Sequence, residues 1–299
     1  GAVVGFAAVG IGMDAVNWGK VGTIVMSWVV SPLLAGTLAF VVFKSIQKLI
    51  LNSENPVESS IKYGPYYLFM VGFVIALVTI KKGLKHVGLE IDTGGAFFYA
   101  ALLGIAVALL GSLLIRKVKT DPKADKNFHY TNVERIFAVM MIFTASAMAF
   151  AHGSNDVANA VGPMAAVIST AQSGAITAKS ALPSWGLLVG GIGIVIGLAT
   201  FGYKVIATVG KSITELTPSR GFAAEIAAAG TVVLASFTGI PISTTHTLVG
   251  AVLGVGFARG IGAIDTRVVR NIFMSWVVTL PAGGLLAILF FYIFKTIFS

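Results

Sequence analysis

Cysteine is absent from the 299 residues, which excludes disulfides, thiolate nucleophiles and cysteine metal sites and leaves the compartment open. Charge is scarce as well. Asp, Glu, Lys and Arg make up 11% of the chain, against roughly 25% in an ordinary soluble domain. That is too little charge to clothe a soluble surface, so a cytosolic enzyme and a disordered chain are excluded. Acids are scarcest: 12, against 21 Lys and Arg, for a formal charge of +9. The basic residues lie between long apolar runs, which argues against a nucleic-acid partner. No Gly-rich loop followed by Lys and Ser or Thr occurs, so ATP-driven work by this chain is not expected.

What the chain has is apolar length. A helix needs about 20 apolar residues to cross ~30 Å of hydrocarbon. Gly22 to Phe43, Tyr66 to Ile80, Gly94 to Ile115, Ile136 to Ala151, Trp185 to Ile206, Gly221 to Phe237, Thr244 to Phe257 and Ile272 to Phe294 approach or meet that length. Gly1 to Gly12 looks like the tail of another. Some are short or interrupted by Gly and Pro. A transmembrane barrel would show period-2 alternation; these runs are continuously apolar, so helices are expected. The 35 glycines fit close helix contacts in lipid.

Basic residues set the orientation. Lys44, Lys48 and Lys62 follow the first full span, and Lys81, Lys82 and Lys85 follow the next. Arg116, Lys117, Lys119, Lys123, Lys126 and Arg135 follow the third. The first and third groups are placed in the cytoplasm. The linker at 116–132, with Asp121, Pro122 and Asp125, then divides the chain. Residues 1–115 read as the remainder of a first repeat with connecting helices, and 133–299 as a second repeat.

The repeat rests on three matches in one order. Gly1-Ala2-Val3-Val4-Gly5 matches Gly250-Ala251-Val252-Leu253-Gly254. Met26-Ser27-Trp28-Val29-Val30 recurs as Met274-Ser275-Trp276-Val277-Val278, and Gly36 matches Gly284. The first copy's helix starts after Lys20 alone and ends among Lys44, Lys48 and Lys62. The second starts after Arg259, Arg267 and Arg270 and ends with Lys295 alone. The copies therefore point in opposite directions, a recurring plan of secondary transporters. The chain begins without Met at a point matching Gly250. The segment that would match His152 to Val249 is therefore expected to be missing from its start.

Two polar motifs interrupt the apolar runs. The first is Ala151-His152-Gly153-Ser154-Asn155-Asp156-Val157-Ala158-Asn159-Ala160-Val161-Gly162-Pro163. A carboxylate at membrane depth costs at least ~2.5 kcal/mol and needs a partner. A helix break at Gly153 with restart near Ser154 would free backbone carbonyls. It would also put Asn155, Asp156 and Asn159 on one face. Carboxylate, amide and carbonyl oxygens suit a hard cation such as Na⁺; a buried helix cap is the plainer reading. His152 either orients Asp156 or satisfies a carbonyl. The second motif is Gly239-Ile240-Pro241-Ile242-Ser243-Thr244-Thr245-His246. Pro241 stops one half-helix and Ser243 caps the next. Three hydroxyls at a helix N-terminus can hold an oxyanion, or serve as an ordinary cap. Glu225 is the only other acid deep in an apolar run, either a transport carboxylate or a partner of Arg220 or a neighbouring helix. Glu134 is expected in a cytoplasmic charge pair.

At these motifs the sequence resembles the inorganic phosphate transporter (PiT) family of sodium- or proton-coupled permeases. Gly153 to Ala160 is similar to the family signature, and Pro241 to His246 to its Pro-Val-Ser-Thr-Thr-His element. Val133-Glu134-Arg135-Ile136-Phe137 and Ser219-Arg220-Gly221-Phe222 also look like family segments. The resemblance implies an all-α polytopic protein of the cell membrane, an inverted-repeat secondary transporter with broken or half helices. It implies phosphate at Ser243, Thr244 and Thr245, and Na⁺ or H⁺ at Asn155, Asp156 and Asn159. It associates Glu225, His152 and His246 with transport. Each half would supply one motif of each kind, and only one of each occurs here. No other cofactor is expected; the partners are phosphate and membrane lipid, with a homo-oligomer left open. Rival readings are another oxyanion such as sulfate, or an uncoupled anion channel. A phosphate-ester enzyme would need an acid or Lys beside Ser243, which the sequence lacks.

Overall fold

The computed structural model describes residues 1–80, 91–120, 130–173, 183–238 and 240–298. Lys81, Lys82, Lys85, Asp121, Pro122, Lys123, Asp125, Lys126 and Gly239 lie outside the described residues. The described residues form helices and connectors, with no strand among them. In chain order the helices are α1 (Ala2–Phe6), α2 (Trp18–Ile46), α3 (Pro56–Val78), α4 (Thr93–Arg116) and α5 (Thr131–Ser173). They continue with α6 (Ser184–Ala207), α7 (Pro218–Thr238), α8 (Thr244–Arg259) and α9 (Thr266–Phe298).

Polar side chains at the ends set several starts. Asn17 accepts the amide of Lys20, Asn55 that of Glu58 ahead of α3 with Pro56 in its first turn, and Asp92 those of Gly94 and Gly95. Six of the described helices, α2 to α6 and α9, are long and apolar enough to cross a membrane. α7 and α8 are not a further pair of spans. The start of α7 and the end of α8 lie together: Arg259 Nη1 donates to Thr214 Oγ1 at 3.1 Å, and the Asp265 amide donates to the Ile213 carbonyl at 3.0 Å. The two helices form an antiparallel hairpin whose tip is the second polar motif.

The core lies between α2, α3, α5, α7 and α8, around Phe43, Leu68, Phe137, Met140, Phe222 and Val252. Lipid tails are as apolar as these side chains, so close contact rather than transfer from water holds such helices together. Small residues provide it. A Cβ on Gly250 would overlap the backbone of Pro32, and one on Gly254 the backbone of Gly36. Gly1 and Gly5 meet Leu280 and Gly284 in the same way. The repeat-matched glycines thus make matched interfaces, α8 on α2 and α1 on α9.

The register of these contacts gives the sense of the repeat. Trp28 meets His246, Pro32 meets Gly250 and Gly36 meets Gly254, so α2 and α8 run parallel. After the short 260–265 connector, Trp276 of α9 returns to His246, so α8 and α9 run antiparallel. The repeated helices α2 and α9 therefore point in opposite directions, as their flanking charges indicate. Gly260, at φ 117°, occupies the left-handed region that the connector requires.

Candidate functional site

The first motif lies within α5, which is unbroken over 43 residues. The expected break at Gly153 is not there. A mid-helix glycine costs only about 0.5–1 kcal/mol, which a long packed helix absorbs. Nothing lies within 4 Å of a Cβ built on Gly153, so close packing does not require it either. At 43 residues α5 is about 65 Å long, twice the ~30 Å hydrocarbon layer.

An intact helix still presents the carboxylate. His152 and Asp156 are one turn apart, and His152 Nε2 lies 2.8 Å from Asp156 Oδ2. Thr244 Oγ1 donates to Asp156 Oδ1 at 3.1 Å. Asp156 is thus gripped by its own helix and by the hairpin tip, and its side chain remains 41% exposed. Beside it, Asn155 Nδ2 is buried with no hydrogen-bond partner among the described residues. Asn159 is exposed. The carbonyl of Asn159 loses its usual intrahelical donor, because Pro163 four residues on has no N–H. The missing donor is legible in the sequence as a proline at i+4.

The second motif forms as its residue types dictate. Residues 240–243 are non-helical, and Ser243 caps α8, its Oγ accepting the His246 amide at 3.3 Å. The Ser243 carbonyl accepts from the Thr247 amide at 3.0 Å and Thr247 Oγ1 at 2.8 Å. The amides of Thr244 and Thr245 are first-turn donors with no intrahelical acceptor. The three hydroxyls are not equivalent. Thr244 is 3% exposed and tied to Asp156, whereas Thr245 is exposed. The tip meets α5 at Asp156, part-way along that helix, so the hairpin turns back inside the bundle.

Two expected residues lie elsewhere. Glu225 accepts from Thr144 Oγ1 at 2.5 Å, joining α7 to α5. Thr144 precedes Asp156 by about three turns, roughly 18 Å of helix, so Glu225 is not in the Asp156 cluster. Its partner is Thr144 and not Arg220, whose Nη1 donates to the Glu215 carbonyl at 3.0 Å. Glu134 caps the start of α7, where its carboxylate accepts the Ser219 amide and the Ser219 hydroxyl, each at 2.7 Å, and its charge also favours the Arg220 guanidinium. His246 is turned away from the tip. Its ring stacks on Trp276 at 3.6 Å and meets Trp28 edge-on at 6.0 Å.

Chemically, the cluster is one carboxylate with neighbouring amide and carbonyl oxygens, next to hydroxyl and amide donors. Among the described residues no three His, Asp or Glu side chains gather. A single carboxylate balances one monovalent cation, while the donors suit an oxyanion.

The model of the phosphate transporter family matches residues 1–287. A putative phosphate permease of Haemophilus influenzae is 51% identical over 303 aligned residues, covering 100% of this chain and 71% of the relative. The chloroplastic inorganic phosphate transporter 2-1 of Arabidopsis thaliana is 40% identical, covering 100% of this chain and 54% of that protein. Among solved structures, a sodium-dependent phosphate transporter superposes with a TM-score of 0.86 at 38% identity, covering 98% of this chain and 71% of that one. With two polar motifs joined at a hairpin tip inside an inverted-repeat helix bundle, this multi-pass membrane chain belongs to the phosphate transporter family.

Proposed function

We propose that the chain works as a cation-coupled symporter of inorganic phosphate by alternating access, with Na⁺ rather than H⁺ as the coupling ion. The observation that carries this reading is the bond from Thr244 to Asp156. It joins the anion motif to the cation motif, so the occupancy of each alters the other. A cation at Asp156 is held by the carboxylate, with the Asn155 side-chain oxygen and the Asn159 carbonyl in reach of the same helix face. It cancels the Asp156 charge beside phosphate held by the Ser243 hydroxyl, Thr244 and the first-turn amides of α8. With the cation in place phosphate approaches a neutral ion pair; without it phosphate meets the bare carboxylate in a medium where charge is expensive, which ties the two occupancies together. The sodium dependence named for the similar solved transporter supports Na⁺.

Phosphate is favoured over sulfate by the same bond. A P–OH bound at Ser243 and Thr244 has Asp156 as an acceptor one hydrogen bond away. Sulfate carries no proton at neutral pH and has none to donate there. Thr245 contributes its amide, its hydroxyl being exposed. Glu225 acts at a second level along α5, as a stop on the cytoplasmic half of the path, and His152 orients Asp156. The division at 116–132 separates a unit at 1–115 from the motif-bearing unit at 133–299.

The test is labelled phosphate uptake in liposomes by the protein carrying both pairs of motifs, with an inward Na⁺ gradient and then with a proton gradient alone. Uptake driven by Na⁺ and outcompeted by phosphate before sulfate is expected. Flux indifferent to either gradient would identify an uncoupled channel and overturn symport.

A further inference from the structure

Trp28 and Trp276 are the same residue of the duplicated Met-Ser-Trp-Val-Val. They belong to copies that run in opposite directions, yet they share one neighbour. The His246 ring lies 3.6 Å from Trp276 with 20° between the planes, and 6.0 Å from Trp28 at 68°. His246 is 7% exposed, and its Nδ1 is buried with no hydrogen-bond partner among the described residues. No polar contact therefore pins the ring; stacking does.

The rest of the packing divides these helices into two blocks. α2 and α8 touch backbone to backbone through Pro32, Gly36, Gly250 and Gly254. α1 and α9 do so through Gly1, Gly5 and Gly284. Such interfaces have no flexible side chain between the backbones and resist sliding. The link between the blocks is of another kind. It consists of two covalent connectors, 7–17 between α1 and α2 and 260–265 between α8 and α9 with Gly260 at φ 117°, together with apolar contacts of the first turns of α9 and the stack of His246 on Trp276. An aromatic pair separates without unfolding either helix, and its geometry tolerates offset and edge-on arrangements.

We infer that His246 is a positioning residue, and that its stack on Trp276 is a latch between the α2–α8 block and the α1–α9 block that opens and closes as the site changes face. The latch acts through Ser243 and Thr244. His246 follows them within the first turn of α8, and its amide is the group that Ser243 Oγ caps. A block movement that pulls Trp276 from His246 therefore loads the cap and the Thr244 bond to Asp156. In the other direction, ligands that tighten the tip set the ring. This inference rests on the transport reading.

Tryptophan emission tests it with His246 in place. Trp18→Phe, Trp28→Phe and Trp185→Phe leave Trp276 as the sole emitter, since the chain has 4 Trp. Inorganic phosphate titrated with Na⁺ is expected to shift Trp276 emission with the same half-saturation as binding of labelled phosphate. His246→Leu is expected to lose the shift, and His246→Phe, which keeps a ring, to retain it. Phosphate binding with unaltered emission overturns the latch and leaves the transport reading standing; no phosphate binding overturns both. A second measurement keeps His246 and Trp276 in sequence; because Phe273 packs on Trp276 at 4.4 Å, the unbridged double-cysteine protein is its reference and must itself show uptake. The chain has no native cysteine, so Leu253→Cys with Phe273→Cys bridges the blocks across the groove they line together. A cleavable bifunctional reagent across that pair should abolish uptake while sparing phosphate binding, and cleavage should restore uptake. Full uptake in the bridged protein refutes the latch.

Discussion

Replacing Thr244 by Val, and separately Thr245 by Val, distinguishes two hydroxyls that adjoin in sequence. Valine keeps the shape of threonine and removes the hydroxyl. At position 244 the lost group donates to Asp156 Oδ1 at 3.1 Å from a site only 3% exposed. A hydrogen bond to a charged group is worth about 1.5–3 kcal/mol. Thr244 is buried, but the Asp156 side chain is 41% exposed, so water can take over part of the lost bond. His152 Nε2, at 2.8 Å from the other oxygen, still holds the carboxylate, so the lower end of that range is the better guide. About 1.5 kcal/mol corresponds to roughly a tenfold change. Thr244→Val is therefore expected to raise the half-saturation concentration for phosphate about tenfold at fixed Na⁺. Thr245 is exposed, and Thr245→Val is expected to change it less than about twofold, within the ±0.5 kcal/mol typical of surface substitutions. The assay is initial-rate uptake of labelled phosphate in liposomes, normalised to reconstituted protein. An effect at Thr245 equal to or larger than that at Thr244 would refute the geometry argued for the tip.

Asp156→Asn should remove the dependence of phosphate uptake on Na⁺; a Na⁺ titration that superposes on that of the parent protein would move the cation elsewhere. Gly250→Ala forces α8 away from the Pro32 backbone and should destabilise by about 1–3 kcal/mol. Gly153→Ala meets open space and should be neutral or stabilising by up to about 1 kcal/mol; thermal unfolding in detergent reads the opposite signs. Glu134→Gln keeps the shape of the cap on α7 and removes its charge, so the 2.7 Å bonds from Ser219 weaken. A loss of about 1 kcal/mol in the same assay is expected, with phosphate half-saturation unchanged.

Much of the site was legible because charge inside an apolar run is costly. Asp156 and Glu225 stood out for that reason, and so did the Ser-Thr-Thr run behind Pro241. Their partners were not legible. Asp156 bonds a residue 88 positions away, and Glu225 one 81 positions away, and no local pattern encodes such pairings. Gly153 misled because a glycine permits a break without requiring one. The difference between Thr244 and Thr245 was not legible either: successive residues on a helix point about 100° apart, and only the packing decides which hydroxyl of the run is buried. Glu134 looked like a charge-pair residue, and its second role as the cap on α7 was not legible.

The sequence by itself determined that this is a helical membrane protein, that its copies are inverted, and which motifs carry charge and hydroxyls. Each follows from a rule that acts along the chain: apolar length against bilayer thickness, basic loops against orientation, and the cost of a polar group in lipid. Only the tertiary structure decided that the hairpin tip reaches Asp156, that Glu225 lies at another depth, and that the duplicated tryptophans meet on His246. Those depend on the angle and register at which separate helices pack. Backbone contacts at Gly36, Gly250, Gly254 and Gly284 set that register, whereas Gly153, Gly162 and Gly230 look the same in sequence and have nothing within 4 Å of a built Cβ.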